Sequence, residues 1–318
     1  MKTLTLAALA LGALAVQAPG RALAADYTIL APANPGGGWD QTARVMQEVM
    51  QAEGISESVQ VQNVPGAGGT VGLAQFASQA AGDPSQLIVG GYVMVGAILT
   101  NQSPVSLADV TPIARLTGEY EAIVVPASSE IQDIQGLIDA LKADPGAVSW
   151  AGGSAGGTDH IAVGLIAKAA GVDPTAINYV AFSGGGEALA AILGSQVTAG
   201  ISSLGEFREQ AEAGTLRILA VSSPERIEGV DAPTLQEAGL DVVVENWRMV
   251  AAAPGLSEEQ VAAVGADIDA LVSSQGWQEA LAANGWENTY LAGPEFQAQL
   301  EADIATTEGV LRDIGLVQ

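Results

Sequence analysis

Short apolar runs punctuate this chain. Most are followed by a polar, glycine-bearing loop and then by a stretch whose apolar positions recur every three or four residues. The runs at 27–31, 58–62, 87–90, 122–125, 148–151, 177–181, 216–221 and 240–244 predict β-strands, because each is brief and bounded by turn-forming residues. Helices are predicted at 40–51, 70–80, 159–170 and 187–193; in the first, Val45, Met46, Val49 and Met50 share one face. Two longer helices are predicted near the C-terminus. One covers 256–273, with Val261, Val264, Ile268 and Leu271 in phase, and the other 294–311, with Phe296, Leu300 and Ile304. Alternation of strand, loop and helix implies an α/β fold with parallel-rich sheets covered on both faces. In such sheets ligands bind beyond the carboxyl ends of the strands. No repeat or low-complexity linker marks a boundary. A crossing between halves is expected near Val125-Pro126, and a return near 222–230.

The N-terminus adds an export signal to this picture. Lys2 is followed by an uncharged apolar stretch at 4–16, and Ala22-Leu23-Ala24 gives the small-x-small cleavage pattern. Pro19, Gly20 and Arg21 interrupt the stretch before the roughly 20 apolar residues that a bilayer-spanning helix requires. Cleavage after Ala24 leaves 294 residues, a length that suits two domains of about 150 residues, each with its own core. The expected division places 25–125 with 226–318 in one domain and 126–225 in the other.

Charge narrows the function. The chain carries 11 Lys and Arg against 36 Asp and Glu, a net charge of −25 at pH 7. Loss of Lys2 and Arg21 with the signal leaves 9 against 36, a net of −27. A nucleic-acid partner is excluded on this balance, because it requires a basic surface. An anionic ligand must likewise be held by short-range groups, since the long-range field repels it. The absence of cysteine removes disulfides, thiolate metal ligands and thiol nucleophiles.

The chemistry concentrates in four strand–loop–helix junctions. These are Pro35-Gly36-Gly37-Gly38-Trp39-Asp40, Pro65-Gly66-Ala67-Gly68-Gly69-Thr70, Gly152-Gly153-Ser154-Ala155-Gly156-Gly157-Thr158-Asp159 and Phe182-Ser183-Gly184-Gly185-Gly186-Glu187. The first turn of a helix leaves amide hydrogens unpaired and partly positive, which makes an anion site without any Lys or Arg. A single such loop is equally well an ordinary turn. Two loops facing each other across a cleft would grip a carboxylate from both sides. Each backbone hydrogen bond to a carboxylate contributes about 1.5–3 kcal/mol, so several reach the roughly 8 kcal/mol of micromolar binding. The dinucleotide and Walker patterns G-x-G-x-x-G and G-x-x-x-x-G-K-[ST] are incomplete or absent, and no cofactor motif stands out. His160 is the only histidine. Neither a nucleophile–base pair nor a zinc site is therefore expected, and the chain reads as a non-enzyme.

The string Ala31-Pro32-Ala33-Asn34-Pro35-Gly36-Gly37-Gly38-Trp39-Asp40-Gln41-Thr42-Ala43-Arg44 resembles the opening of the tripartite tricarboxylate transporter substrate-binding proteins, the Bug receptor family. The likeness continues through Asn63-Val64-Pro65-Gly66, Ser154-Ala155-Gly156-Gly157-Thr158-Asp159-His160, Tyr179-Val180-Ala181-Phe182-Ser183-Gly184-Gly185-Gly186, Gly194-Ser195-Gln196-Val197, 216–222 and Asn246-Trp247-Arg248. Trp39, where many relatives carry Thr, leans toward the tricarboxylate-binding branch. The resemblance implies a two-domain periplasmic binding protein of type II-like fold, with crossover strands and a ligand cleft between the domains. It implies capture of a small organic di- or tricarboxylate, citrate-like, and delivery to the permease subunits of a tripartite transporter, with the receptor expected as a monomer. A carboxylate sensor subunit for a membrane kinase would have the same fold and ligand chemistry, and an enzyme acting on organic acids through carboxylates alone is the other alternative. By this likeness the binding residues are Pro35, Gly36, Gly37, Gly38, Trp39 and Asp40 with Ser154, Ala155, Gly156, Gly157, Thr158 and Asp159 as the carboxylate clasp. Phe182, Ser183, Gly184, Ser202, Trp247 and Arg248 complete the pocket. Trp39 and Trp247 are either pocket walls or domain-packing aromatics. Arg248 either forks onto a second ligand carboxylate or sits in a structural ion pair. His160 is expected to pack or hydrogen-bond inside its helix. Met94, placed in the loop after the third strand, is either pocket or core.

Overall fold

The computed structural model of the protein describes residues 26–182 and 185–318. The expected signal segment, together with Ser183 and Gly184, therefore lies outside the described residues. The chain begins with β1 (Tyr27–Ala31), α1 (Gly38–Ala52), β2 (Val59–Asn63), α2 (Thr70–Gln79), β3 (Gln86–Gly91) and α3 (Tyr92–Thr100). The long strand β4 (Thr111–Pro126) follows, and then α4 (Ile134–Ala143), β5 (Ser149–Gly152), α5 (Thr158–Ala169), β6 (Asn178–Ala181), α6 (Gly185–Leu193), β7 (Ala199–Ser203), α7 (Leu204–Glu212) and β8 (Leu216–Val221). β9 (Glu245–Ala252), α8 (Glu258–Ser273), α9 (Gln275–Asn284), β10 (Glu287–Ala292) and α10 (Gly293–Asp313) close the order.

The strands run β2-β1-β3-β9-β4-β7-β5-β6, with β10 and β8 also paired to β4. β2, β1 and β3 are parallel to one another, as are β7, β5 and β6. β4 joins the two blocks through antiparallel pairing. Its residues from Thr111 to Tyr120 pair with β9, and those from Glu121 to Pro126 pair with β7 and β8. Two main apolar clusters result. One gathers β1, β3, α1 and the C-terminal helices around Trp247, Trp277 and Trp286. The other gathers α4, α5, β5 and β7 around Trp150.

In the parallel blocks β1, β2, β3, β5 and β6 fall on predicted runs, β1, β3 and β5 because central strands are short continuous apolar stretches, whereas β7 has no predicted counterpart. β4 is far longer than the predicted 122–125 run. Pro112, Gly118, Glu119 and Glu121 give its first part the look of a loop, yet β9 and β10 satisfy its backbone on both sides. The apolar run at 240–244 is not a strand. Leu240, Val242 and Val244 are buried, but the segment is irregular and docks through the Val244 amide on the Ser222 carbonyl, 3.2 Å away; the strand starts only at Glu245. Met94 lies in α3 rather than in a loop and is 1% exposed, a core position. No helix among the described residues is long and apolar enough to cross a membrane.

Trp150 is fully buried at the centre of the second cluster. Trp150→Ala is expected to lower unfolding stability by about 3–5 kcal/mol, read from urea titrations of the wild type and the variant.

Candidate functional site

The loops that follow β1, β2, β5 and β6 all open on one cavity of about 940 Å³. The first two come from one parallel block and the last two from the other, so the cavity lies across the β4 crossover. Its wall includes Pro35, Gly36, Gly37, Gly38 and Trp39 from the first loop, and Ser154, Ala155, Gly157, Thr158 and Asp159 from the loop before α5. Phe182, Ser202 and Arg248 also reach it. Asp40, Gly156 and Trp247 do not, and Ser183 and Gly184 are outside the described residues.

Each helix start is braced by a carboxylate of the protein itself. In the first loop the Gly36 amide donates to Asp40 Oδ2 at 2.7 Å. That carboxylate also accepts from Arg44 Nε at 2.9 Å and from Asn63 Nδ2 at 2.8 Å. Burial alone would raise the Asp40 carboxyl, but Arg44, the Gly36 amide and Asn63 together hold it below the ordinary value. Asp40 is therefore a strut behind the loop rather than part of the wall. In the third loop the Gly153 amide donates to Asp159 Oδ2 at 2.6 Å. At the start of α6 a Cβ on Gly185 would overlap the Glu206 carboxylate, which accepts from Ser202 Oγ. An internal acid therefore occupies the N-terminus of α6.

What remains after this bracing is specific. The Gly37 amide closes a turn on the Asn34 carbonyl at 3.0 Å, and the Gly157 amide closes one on Ser154 at 2.9 Å. The amides of Gly38, Trp39, Ser154 and Ala155 have no acceptor among the described residues. All four residues line the cavity, and Gly38 and Trp39 are the first residues of α1. A negative group brought between the two loops would meet these donors at short range.

Trp39 stands between the first and second loops. It is 9% exposed, and a Cβ on Gly69 (φ +90) would lie 2.6 Å from its indole edge, so only glycine lets the ring lie there. Gly156 (φ +76) packs against Thr100 of α3 behind the wall, and its amide donates to His160 Nδ1 at 3.2 Å. The His160 ring stacks on Tyr179 with centroids 4.0 Å apart, and burial pushes its pKa down to about 4. It is thus a neutral packing group at neutral pH.

Arg248 and Trp247 resolve in opposite directions along β9. Trp247 is 4% exposed, tilted against Tyr92 at 6.1 Å and faced by Arg115 at 5.9 Å, which makes it a packing aromatic away from the wall. Arg248 touches the cavity, but its guanidinium is paired with Glu119, donates to Thr42 Oγ1 at 3.2 Å and lies 5.0 Å over Trp286. Asn246, between β9 and the loops, was given no role by sequence reasoning. Its Nδ2 donates to Ser203 Oγ at 3.2 Å, and its Oδ1 accepts from Thr158 Oγ1 at 3.3 Å, so it ties β7 to the start of α5 on the cavity wall. Its only signal in the sequence is its place beside Trp247 and Arg248. Glu206 was equally invisible, one acid among 36.

The Arg248–Glu119 pair is nearly sealed from water, with side chains 5% and 6% exposed. Arg248→Met should destabilise the protein by about 3–5 kcal/mol, because it strands a buried carboxylate. Pairing it with Glu119→Gln should restore most of the loss, as read from a double-mutant cycle of melting curves.

Known proteins share this fold. The profile of the "Tripartite tricarboxylate transporter family receptor" matches residues 42–316. Protein BugT of Bordetella pertussis is 28% identical over 292 residues, covering 90% of this chain and 88% of that protein. Among solved structures, MatC from Rhodopseudomonas palustris with bound malate superposes with a TM-score of 0.78 at 26% identity, covering 90% of this chain and 98% of that one. A TctC solute-binding protein from Polaromonas gives a TM-score of 0.67, also at 26% identity and with the same coverage. The fold is that of the α/β periplasmic binding proteins. The match spans nearly all the described residues, from the first glycine loop's helix to the last turn of α10. The chain belongs to the tripartite tricarboxylate transporter receptor family.

Proposed function

We propose that this chain is a periplasmic solute-binding receptor, exported by the signal at 1–24, that captures a small organic di- or tricarboxylate and delivers it to a tripartite tricarboxylate-type permease. The observation that carries this reading is the convergence of two glycine loops, one from each parallel block, whose unpaired amides border a single cavity. The malate bound to MatC supports a carboxylate of this size. Gly38 and Trp39 hold the carboxylate from one side, and Ser154 and Ala155 from the other. Trp39 and Phe182 provide apolar walls, Ser202 and Thr158 border the space with hydroxyl hydrogens turned to Glu206 and Asn246, and Asn246 fixes the spacing of the two sides. Four amides at about 1.5–3 kcal/mol each supply about 6–12 kcal/mol, a range that spans the roughly 8 kcal/mol of micromolar binding.

In this reading the blocks act as two domains, 25–125 with 226–318 and 126–225, that close as a monomer on the ligand. Contacts from both sides stabilise only the closed state, and the closed form docks on the permease. Binding rests on main-chain donors and no nucleophile is engaged, so the ligand is released unchanged.

Thermal-shift and calorimetric screening against malate, citrate, succinate and adipate should find at least one acid bound with micromolar or tighter affinity. Failure of every carboxylate to bind would refute the reading. Gly37→Asp places a carboxylate at the N-cap of α1, where it competes for the helix-start amides, and should weaken that acid about 10- to 100-fold, the worth of one charge-assisted bond, while unfolding stays cooperative. Gly37→Ala is the control: its Cβ would sit 3.2 Å from the Asn34 carbonyl and adds no charge, so affinity should change little. Equal affinity in the Asp variant would place the ligand elsewhere.

A further inference from the structure

The cavity that would receive an anion has an acidic floor. Glu119 and Glu121 project from β4 where it passes from one block to the other, and they are 5% and 0% exposed. Asp159 on α5 and Glu206 on α7 rise from beneath to the cavity wall. Glu187 of α6 also lines the wall, and Tyr179 of β6, stacked on the neutral His160, faces Asp159 and Glu121. Against these acids β9 supplies one cation, Arg248, and it is committed to Glu119. Arg248 is the only Lys or Arg among the described lining residues.

Glu121 is the odd member. Both of its carboxyl oxygens are buried with no hydrogen-bond partner among the described residues. An ionised carboxylate without a donor costs several kcal/mol in such a place, so the group keeps its proton instead. Burial, then Asp159, Glu119 and Glu206, drive it well above the ordinary carboxylate range, with Arg248 opposing. Burial pushes Asp159 up to about 7 despite the Gly153 amide, and the Glu206 charge adds to this. Glu206 is raised by burial too, against the pull of Ser202. Asp159 therefore exchanges its proton near neutral pH, among two further acids that are also raised, directly under the space assigned to the ligand. A further negative charge in that space stabilises the protonated form of every acid that faces it.

We infer that Glu121, Asp159 and Glu206 form a proton-binding site under the cavity, and that the receptor takes up about one proton from solvent with each carboxylate it binds. The inference rests on the reading above, that the cavity holds an organic acid. The protonated carboxyls relieve the charge of the incoming anion, and those on the wall, Asp159 and Glu206, gain a hydroxyl donor that can point at it. The sign follows from linkage. Ligand binding raises the affinity of the floor for protons, so ligand affinity is greatest at low pH. It falls as pH rises through the ligand-free titration of the floor, by up to about tenfold per pH unit for each proton coupled.

The test is calorimetry of malate and adipate binding at pH 7.5 in buffers of different ionisation enthalpy, such as HEPES and Tris. Both acids are fully ionised at that pH, so the proton count belongs to the protein. The expected result is uptake of about 0.5 to 1 proton per ligand, with the dissociation constant rising between pH 6.5 and 8.5. Glu206→Gln keeps the acceptor for Ser202 and removes the titration. It should bind more tightly than wild type at pH 8.5, with less uptake and a flatter pH profile. Binding of either acid with no proton uptake, or with release, overturns the inference and leaves the receptor reading standing. A variant that lowers affinity equally at every pH, with uptake unchanged, overturns it as well. Failure of malate, adipate and every other acid of the screen to bind overturns both.

Discussion

A helix that starts next to a cavity leaves amide hydrogens with no carbonyl to meet, and the rest of this site depends on how those donors are shared out. In the first loop Asp40 takes Gly36, and in the third Asp159 takes Gly153, each at under 3 Å. Glu206 occupies the start of α6. These internal acids hold the loops rigid, so the amides left over, on Gly38, Trp39, Ser154 and Ala155, are fixed in place before a ligand arrives. Such preorganisation lowers the cost of binding, because little backbone freedom remains to be lost. It also explains how a chain of net charge −25 can be a receptor for anions. The attraction is local and dipolar, whereas the repulsion is diffuse and screened within about 8–10 Å at physiological salt.

The crossover strand sets the second constraint. β4 runs through both blocks and carries Glu119 and Glu121 into the interior between them. Arg248 answers Glu119 from β9, its neighbour in the sheet. Asn246, two residues earlier on β9, bridges β7 and α5. The elements that join the two blocks thus also supply the polar groups beneath and beside the cavity.

Much of this was legible in the sequence, and the reasons it was or was not are physical. The parallel blocks were visible because strands such as Tyr27–Ala31 and Gln86–Gly91 are buried on both faces and read as plain apolar runs. The glycine loops were visible because backbone turns and close approaches leave a compositional mark. β4 was mostly hidden, since Pro112, Gly118 and two buried glutamates break its pattern and are tolerated only because β9 and β10 flank it. The division of labour within the motif was also hidden. Asp40 and Gly38 are two residues apart, yet one is a strut at 1% exposure and the other lies on the wall. Trp247 and Arg248 are adjacent but alternate across the pleat of β9, so one faces Tyr92 and the other the cavity. Roles of Asn246 and Glu206 arise from partners more than 40 residues away, or from a neighbouring helix start, and no local spacing announces them.

The central claim is that main-chain amides of two opposed loops hold the anion. Amide proton NMR on ¹⁵N-labelled protein reads it directly. On addition of a bound carboxylate, the resonances of Gly38, Trp39, Ser154 and Ala155 should move downfield together and their hydrogen exchange should slow. If those four stay fixed while the ligand binds and other amides respond, the loops are not the clasp and the account is wrong.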